Sequence, residues 1–183
     1  MKKYFLTFIL MLFFFEAKAV NKNKIISNFQ KIKNLSFKFE QNINGKIEEG
    51  SCIIEYQKKI FCKYNTSNKK TLVSNGTSLV ITTQIGSYYR YPLDNTPLNL
   101  ILDKEFIINE IINSNEKIID NKFINFTIKK DELKIDFFFD KKSLNITGWQ
   151  TLDIYQNKSF TVLSNIITNQ DIDSNLFKLP KSN

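Results

Sequence analysis

Along most of the chain, apolar and polar residues alternate with a period of two, the pattern of strands with one buried face. In LSFKFEQNI, Leu35, Phe37 and Phe39 share one side against Ser36, Lys38 and Glu40, and Asn44-Gly45 then supplies a two-residue hairpin signal. KIEEGSCIIEY returns with Cys52, Ile54 and Tyr56 on one face. After a turn at Gln57-Lys58-Lys59, IFCKY does the same with Ile60, Cys62 and Tyr64. TLVSN, an Asn75-Gly76 turn, SLVITT and SYYRYPL extend the meander. KFINFTIKK, an Asp131-Glu132 turn, LKIDFFFD, LNITGWQTLDIY and SFTVLSNIIT resume it later. Short strands at a spacing of roughly ten residues predict an antiparallel sheet curling toward a barrel.

Two stretches depart from this period. NKNKIISNFQKIKN sets Ile25, Ile26, Phe29 and Ile32 on one stripe, predicting a short amphipathic helix ahead of the first strand. SYYRYPLDNTPLNLILDKEFIINEII begins as a strand and then turns apolar at helical spacing. Pro92 cannot donate to a ladder, so that strand ends there or lies at an edge. Thr96-Pro97 opens a helix, with Thr as N-cap and Pro at the first helical position. Leu98, Leu100, Ile101 and Leu102 make this helix apolar on too many sides for one that faces solvent. Asp103 then breaks or re-caps the chain before a second stripe of Phe106, Ile107, Ile111 and Ile112. The fold class is therefore α+β: a curled antiparallel sheet covered by short helices, with an N-terminal amphipathic helix. Periodicity leaves two readings of the inserted helices open, a plain core helix closing a sandwich or a lid over a cavity.

The extreme N-terminus belongs to neither pattern. MKKYFLTFILMLFFFEAKA has two lysines, an apolar run from Tyr4 to Phe15 and a terminal Ala17-Lys18-Ala19, the layout of a secretory signal peptide cleaved after Ala19. Its apolar run is short for a membrane span. Residues 20–183 are then expected as a single periplasmic domain. Removing Lys2, Lys3, Lys18 and Glu16 lowers the formal charge of the 183-residue chain from +8 to +6. The remaining lysines are scattered among Asn, Asp and Glu and form no basic stripe, which argues against nucleic acid as partner.

The two cysteines, Cys52 and Cys62, invite a disulfide in an oxidising compartment. If their apolar faces form one side of one hairpin, they can lie opposite one another, and a bridge or two buried thiols are both allowed. Neither follows the signal in the Leu-x-x-Cys manner of a lipid-anchored protein. There is no histidine, which removes Ser/His/Asp and Cys/His catalysis and most zinc sites. No nucleophile elbow, phosphate loop or dinucleotide fingerprint occurs, and no cofactor or metal site is expected. Glu48-Glu49 looks like a carboxylate pair, but adjacent strand residues face opposite ways, so it reads as a solvated edge. A non-enzymatic protein is expected.

Several short motifs resemble the LolA family of periplasmic lipoprotein carriers, in the family's order and spacing. FEQ at Phe39–Gln41 is similar to its Phe-x-Gln on the first strand, and TLVSNGTSLVI at Thr71–Ile81 to a family hairpin. NTPLNLIL at Asn95–Leu102 resembles its Asn-Thr-Pro and lid helix, and ITGWQTLD sits where a Trp-bearing late strand is expected. The resemblance implies a half-open barrel closed by helices, with a hydrophobic cavity for lipoprotein acyl chains. It implies a monomeric carrier loaded by an inner-membrane lipoprotein-releasing ABC transporter and unloading to an outer-membrane receptor such as LolB. A lipoprotein-binding sensor domain on the same fold is the alternative. The residues expected to line the cavity are Phe37, Phe39, Ile54, Tyr56 and Ile60 from the sheet, with Leu98, Ile101 and Leu102 from the lid. Where many carriers have Arg-Pro, whose arginine holds the lid shut, this chain has Tyr56-Gln57, so a weaker latch through the Tyr56 hydroxyl is expected. Ile60 stands at a position that is aromatic in some members. Longer family members add a C-terminal loop and strand associated with one-way transfer; with an ending soon after LFKLPKSN, the resemblance implies either less about the direction of transfer or a shorter branch of the family.

Overall fold

The computed structural model describes residues 16–56, 58–152 and 157–181. The expected signal segment up to Phe15 lies outside them. Helix α1 (Glu16–Gln30) leads directly into β1 (Asn34–Ile43), β2 (Lys46–Glu55), β3 (Lys59–Tyr64), β4 (Thr71–Asn75), β5 (Ser78–Thr82) and β6 (Tyr88–Pro92). Two helices follow, α2 (Leu98–Ile101) and α3 (Lys104–Asn113). The chain then continues through β7 (Lys117–Ile119), β8 (Phe123–Lys130), β9 (Leu133–Asp140), β10 (Ile146–Leu152) and β11 (Lys158–Thr168).

All strands join one antiparallel sheet of order β6-β5-β4-β3-β2-β1-β11-β10-β9-β8-β7. Two meanders, β1–β6 and β7–β11, are sewn together by the β1–β11 pairing, and the β1–β2 hairpin runs unshifted from Asn34↔Glu55 to Ile43↔Lys46. Its turn is the expected one, with Asn44 at φ 51° and Gly45 at φ 90°, values that match the twist of the flanking strands. Pro92 ends β6, which is an edge strand, so its missing N–H interrupts no ladder on the outer side. The opposite edge, β7, is three exposed residues long and was not legible in the alternation.

The sheet is curled. The Phe29 ring of α1 sits 5.3 Å from the ring of Tyr56, just past β2, and 6.4 Å from that of Phe139 on β9. These strands are four spacings apart, about 19 Å in a flat sheet. The concave face carries the main core, in which Leu35, Ile54, Phe126, Phe137 and Phe139 are all almost fully buried. Helices α1 and α3 cover one end of it, and they clamp one another. Lys22 Nζ donates to the carbonyls of Ile112 and Ser114 at the end of α3, at 2.5 and 2.8 Å. Lys104 Nζ, from the start of α3, donates to those of Gln30 and Ile32 at the end of α1, at 3.2 and 3.0 Å. Each lysine thus satisfies carbonyls that the other helix leaves open. On the convex side the Ser174–Phe177 turn lies against β3 and β4, and Phe177 is buried there.

The inserted segment follows its sequence signals with one exception. Thr96 is extended and Pro97 has helical angles, as an N-cap and first helical residue should. The Thr96 hydroxyl, however, donates backward to the Leu93 carbonyl at 2.8 Å rather than accepting from α2. The cause is the preceding 3-10 turn, Leu93–Asn95, which presents that carbonyl to it. Asp103 re-caps the chain, its carboxylate accepting from the Phe106 N–H at 3.0 Å.

Candidate functional site

Between α2 and the concave face lies a cavity of about 200 Å³. Alternation along β1 aims Phe37, Phe39 and Gln41 into it. Cys52 from β2, with Ile60, Cys62 and Tyr64 from β3, line the neighbouring wall. Leu72 and Trp149 complete the apolar lining, and Pro97, Leu98 and Ile101 form the roof. Phe37 meets Trp149 edge-on at 6.2 Å, and Phe39 meets Tyr64 at 5.1 Å, both favourable aromatic geometries. Phe39 lies flat enough over the sheet that a Cβ on Gly50 would sit 2.8 Å from its ring and 2.2 Å from the Lys63 carbonyl, so only glycine fits there.

Cys52 lies directly opposite Cys62 in the β2–β3 register, and the two are joined by a disulfide with a Cα–Cα distance of 4.1 Å. The bridge forms part of the cavity wall.

Of the eight residues expected to line the cavity, Phe37, Phe39, Ile60, Leu98 and Ile101 do so. Ile54 and Leu102 do not: both are fully buried in solid core beyond the cavity's end. Ile54 has the right facing, but there the concave surface is filled by packed side chains. Tyr56 is also outside the cavity. It packs against Phe29 with Lys104 Nζ 6.0 Å above its ring, and no hydrogen bond from its hydroxyl to a lid carbonyl occurs among the described residues. Burial pushes that hydroxyl's pKa well up, so it is a neutral phenol.

The lid is tied from the next turn instead. Lys58 Nζ lies 3.0 Å from Asp103 Oδ2, between α2 and α3, and donates to Asn99 Oδ1 on α2 at 3.1 Å. Lys58 takes a left-handed conformation, φ 64°, at the β2–β3 turn, which throws its side chain across toward the lid. Sequence periodicity had no means of finding it, because a turn lysine belongs to neither face of a strand.

The far end of the cavity is polar. Gln41, Thr151 and Thr161 line it, and Gln41 Nε2 donates to Ser159 Oγ and Thr161 Oγ1, both at 3.1 Å. Glu48 is opposite Gln41 in register. It is not a solvated edge residue: its side chain is only 7% exposed, ion-paired with Lys70 and, at 3.0 Å, with Lys46. Burial alone would raise its pKa, but hydrogen bonds and charge from the two lysines outweigh that and hold it below the usual value. Lys70 Nζ also lies 3.7 Å from the centre of the Tyr64 ring. Burial, with a smaller contribution from the Glu48 charge, pushes the Tyr64 hydroxyl up to about 12.

Among the described residues no cluster of His, Cys, Asp and Glu is arranged to hold a metal ion. No helix there is long and apolar enough to cross a membrane.

A curled, open antiparallel sheet roofed by a short mid-chain helix over an apolar cavity defines a scaffold for enclosing an apolar ligand. The chain belongs to the outer membrane lipoprotein carrier protein LolA family, whose model matches residues 30–180. No curated protein matches it. Among solved structures, it is similar to a LolA-superfamily protein from Nitrosomonas europaea, with 8% identity, 86% of this chain and 97% of that one covered, and a TM-score of 0.44. It is also similar to a DUF1329-family protein from Desulfovibrio piger (9% identity, 88% and 97% covered, TM-score 0.45). A third similar structure is MucB (9% identity, 90% and 63% covered, TM-score 0.48).

Proposed function

We propose that this protein is a periplasmic carrier that shields lipoprotein acyl chains between its concave sheet face and helix α2. Residues 1–19 act as the export signal, and 20–183 work as one monomeric domain. It takes cargo from an inner-membrane lipoprotein-releasing ABC transporter and passes it to an outer-membrane receptor of the LolB kind. The observation that carries this reading is the apolar cavity under α2, whose roof joins the core through Leu100, Ile101 and Leu102 and is tied across its outer side by Lys58.

The physics sets the demand. An exposed CH₂ costs about 0.8 kcal/mol in water, so one long acyl chain costs on the order of 10 kcal/mol unshielded. At about 200 Å³ the cavity is below the ~300–1,000 Å³ of ordinary ligand sites, so loading requires α2 to lift and Leu98 and Ile101 to withdraw. Phe37, Phe39, Ile60 and the Cys52–Cys62 bridge then contact the chains. Lys58 favours the closed lid weakly enough for cargo to leave.

The test is a release assay. Spheroplasts making a labelled outer-membrane lipoprotein are incubated with and without the purified mature protein. Lipoprotein in the soluble fraction as a one-to-one complex is expected. Its absence refutes the carrier reading.

A further inference from the structure

Strand β6 is a free edge of the sheet, and alternate residues along it turn their backbone groups to the open side. The Thr83 N–H donates to the Ser87 carbonyl and the Leu93 N–H to the Thr77 carbonyl, so in the β5–β6 register Tyr89 and Tyr91 face β5. Tyr88 and Arg90 therefore direct their N–H and C=O groups outward, where no strand pairs with them. Edges of this kind are ordinarily guarded by charge or by brevity. The opposite edge, β7, is three residues long and begins with Lys117. β6 has five residues, and between Lys70 and Asp94 the only charged residue is Arg90, in a chain that is 24% charged. Tyr89 and Tyr91 are 53% and 44% exposed. Exposed tyrosines with a lone arginine have the composition of a recognition surface. The Arg90 guanidinium is held to Ser78 Oγ at 3.0 Å, and no carboxylate pairs with it among the described residues.

This edge is continuous with the cavity. Cys62 and Leu72 of the cavity lining, then Ile81 and Tyr89, are successive cross-strand neighbours from β3 to β6, a row three strand spacings or about 14 Å long. A second copy of the chain is a poor occupant, because β6 would bring five residues a side against the ~20–30 of a stable interface. A segment tethered to a guest in the cavity needs far less contact, since the tether raises its effective concentration at the edge.

We propose that β6 docks the polypeptide that follows the acylated residue of the cargo, as an added strand hydrogen-bonded to Tyr88 and Arg90. About four or five extended residues span the row from the cavity. Side chains of the added strand that lie opposite Tyr89 and Tyr91 share their concave, aromatic side. The one opposite Arg90 lies on the convex side, where a carboxylate complements the guanidinium. This rests on the carrier reading above and gives the peptide part of the cargo a site of its own.

The probe is a dodecanoylated peptide of about ten residues, a Gly/Ser spacer followed by Val-Asp-Val-Ser-Thr, long enough to reach the edge. N-methyldodecanamide and the unacylated peptide are its controls. The acylated peptide should slow amide hydrogen exchange at Tyr88 and Arg90 by about tenfold or more, read by NMR, and N-methyldodecanamide should leave both unchanged. In calorimetry its Kd should be about 3- to 10-fold tighter than that of N-methyldodecanamide. Tyr88→Pro removes one outward N–H without touching the β5 ladder and should bring the two Kd values to within about twofold, whereas Tyr88→Val should keep the preference. N-methylation of alternate residues in Val-Asp-Val-Ser-Thr makes the same test from the ligand's side and decides the matter if thermal unfolding shows Tyr88→Pro to be unfolded. Unslowed exchange at Tyr88 and Arg90, or a preference that survives in folded Tyr88→Pro, overturns the docking strand, and the acyl cavity stands if N-methyldodecanamide binds. Equal protection by the unacylated peptide overturns the tethered segment. Concentration-dependent protection in the free protein gives the edge to a second copy and overturns it as well. If neither acyl probe binds, the docking strand and the carrier reading fall together.

Discussion

Replacing Lys58 by Met removes the ionic tie on the lid while retaining the length of the side chain. The backbone cost of a left-handed residue is common to both side chains, so the substitution isolates the tie. The Lys58 and Asp103 side chains are 36% and 28% exposed, and a pair that open to water contributes ~0.2–1 kcal/mol. With the hydrogen bond to Asn99 added and the same screening applied, closure loses about 1 kcal/mol, roughly a fivefold rise in the open population. The assay is the dissociation rate of a fluorescent fatty-acyl probe, measured by stopped-flow competition. Lys58→Met should release it about five times faster, and raising salt to about 0.5 M should speed the native protein toward the variant without changing the variant itself. Asp103→Asn provides the partner arm. Asparagine caps a helix as well as aspartate, so α3 keeps its bond to the Phe106 N–H while the charge goes. Asp103→Asn keeps the Lys58 bond to Asn99 and should have a smaller effect, and the double variant should behave like Lys58→Met alone. If Lys58→Met leaves the dissociation rate unchanged, or if the two substitutions add, the tie does not hold the lid.

Other consequences are open to measurement. Tyr56→Phe should leave probe dissociation unchanged within about twofold in the same assay, since the lost hydroxyl makes no hydrogen bond to the lid. Replacing both Cys52 and Cys62 by Ala opens a ten-residue loop, which costs about 2–3 kcal/mol of unfolding free energy and should lower Tm by about 5–10 °C in calorimetry. Gly50→Ala pushes a methyl against the Lys63 carbonyl and the Phe39 ring and should destabilise by about 1–3 kcal/mol in urea unfolding. The raised Tyr64 pKa has a definite sign: the folded protein keeps a proton that the unfolded chain loses near pH 10. Its contribution to stability is therefore complete below pH 10 and is lost as pH rises toward about 12. Glu48→Gln should lower the pH at which Tyr64 ionises, read by phenolate absorbance.

The hairpins around Asn44-Gly45 and Asp131-Glu132 and the break at Pro92 were legible because each rests on a local rule: turn chemistry, alternation, a missing donor. Alternation also gave the correct facing of Phe37, Phe39 and Ile60. It could not give depth. Ile54 and Ile60 face one another across the same hairpin, yet one lines the cavity and the other lies in solid core, because the limit is set by α1 and α3 arriving from distant parts of the chain. Glu48 was misread for a related reason. Its alternation placed it on the inner face, but the lysine that makes burial tolerable, Lys70, is 22 residues away and on no shared pattern. Gln41 stood in view within FEQ, and its position on the Phe37–Phe39 face was the available sign of a polar end to the cavity.

The lid is also a connector. The chain leaves the sheet at one free edge, β6, forms α2 and α3, and re-enters at the other free edge, β7. The roof is thus strung between the two rims like the string of a bow. A bulky guest that spreads the rims must draw on the slack in this one segment. How much the protein can hold is then a property of the whole arc, set by the span of chain from Pro92 to Lys117 as much as by the side chains that touch the guest.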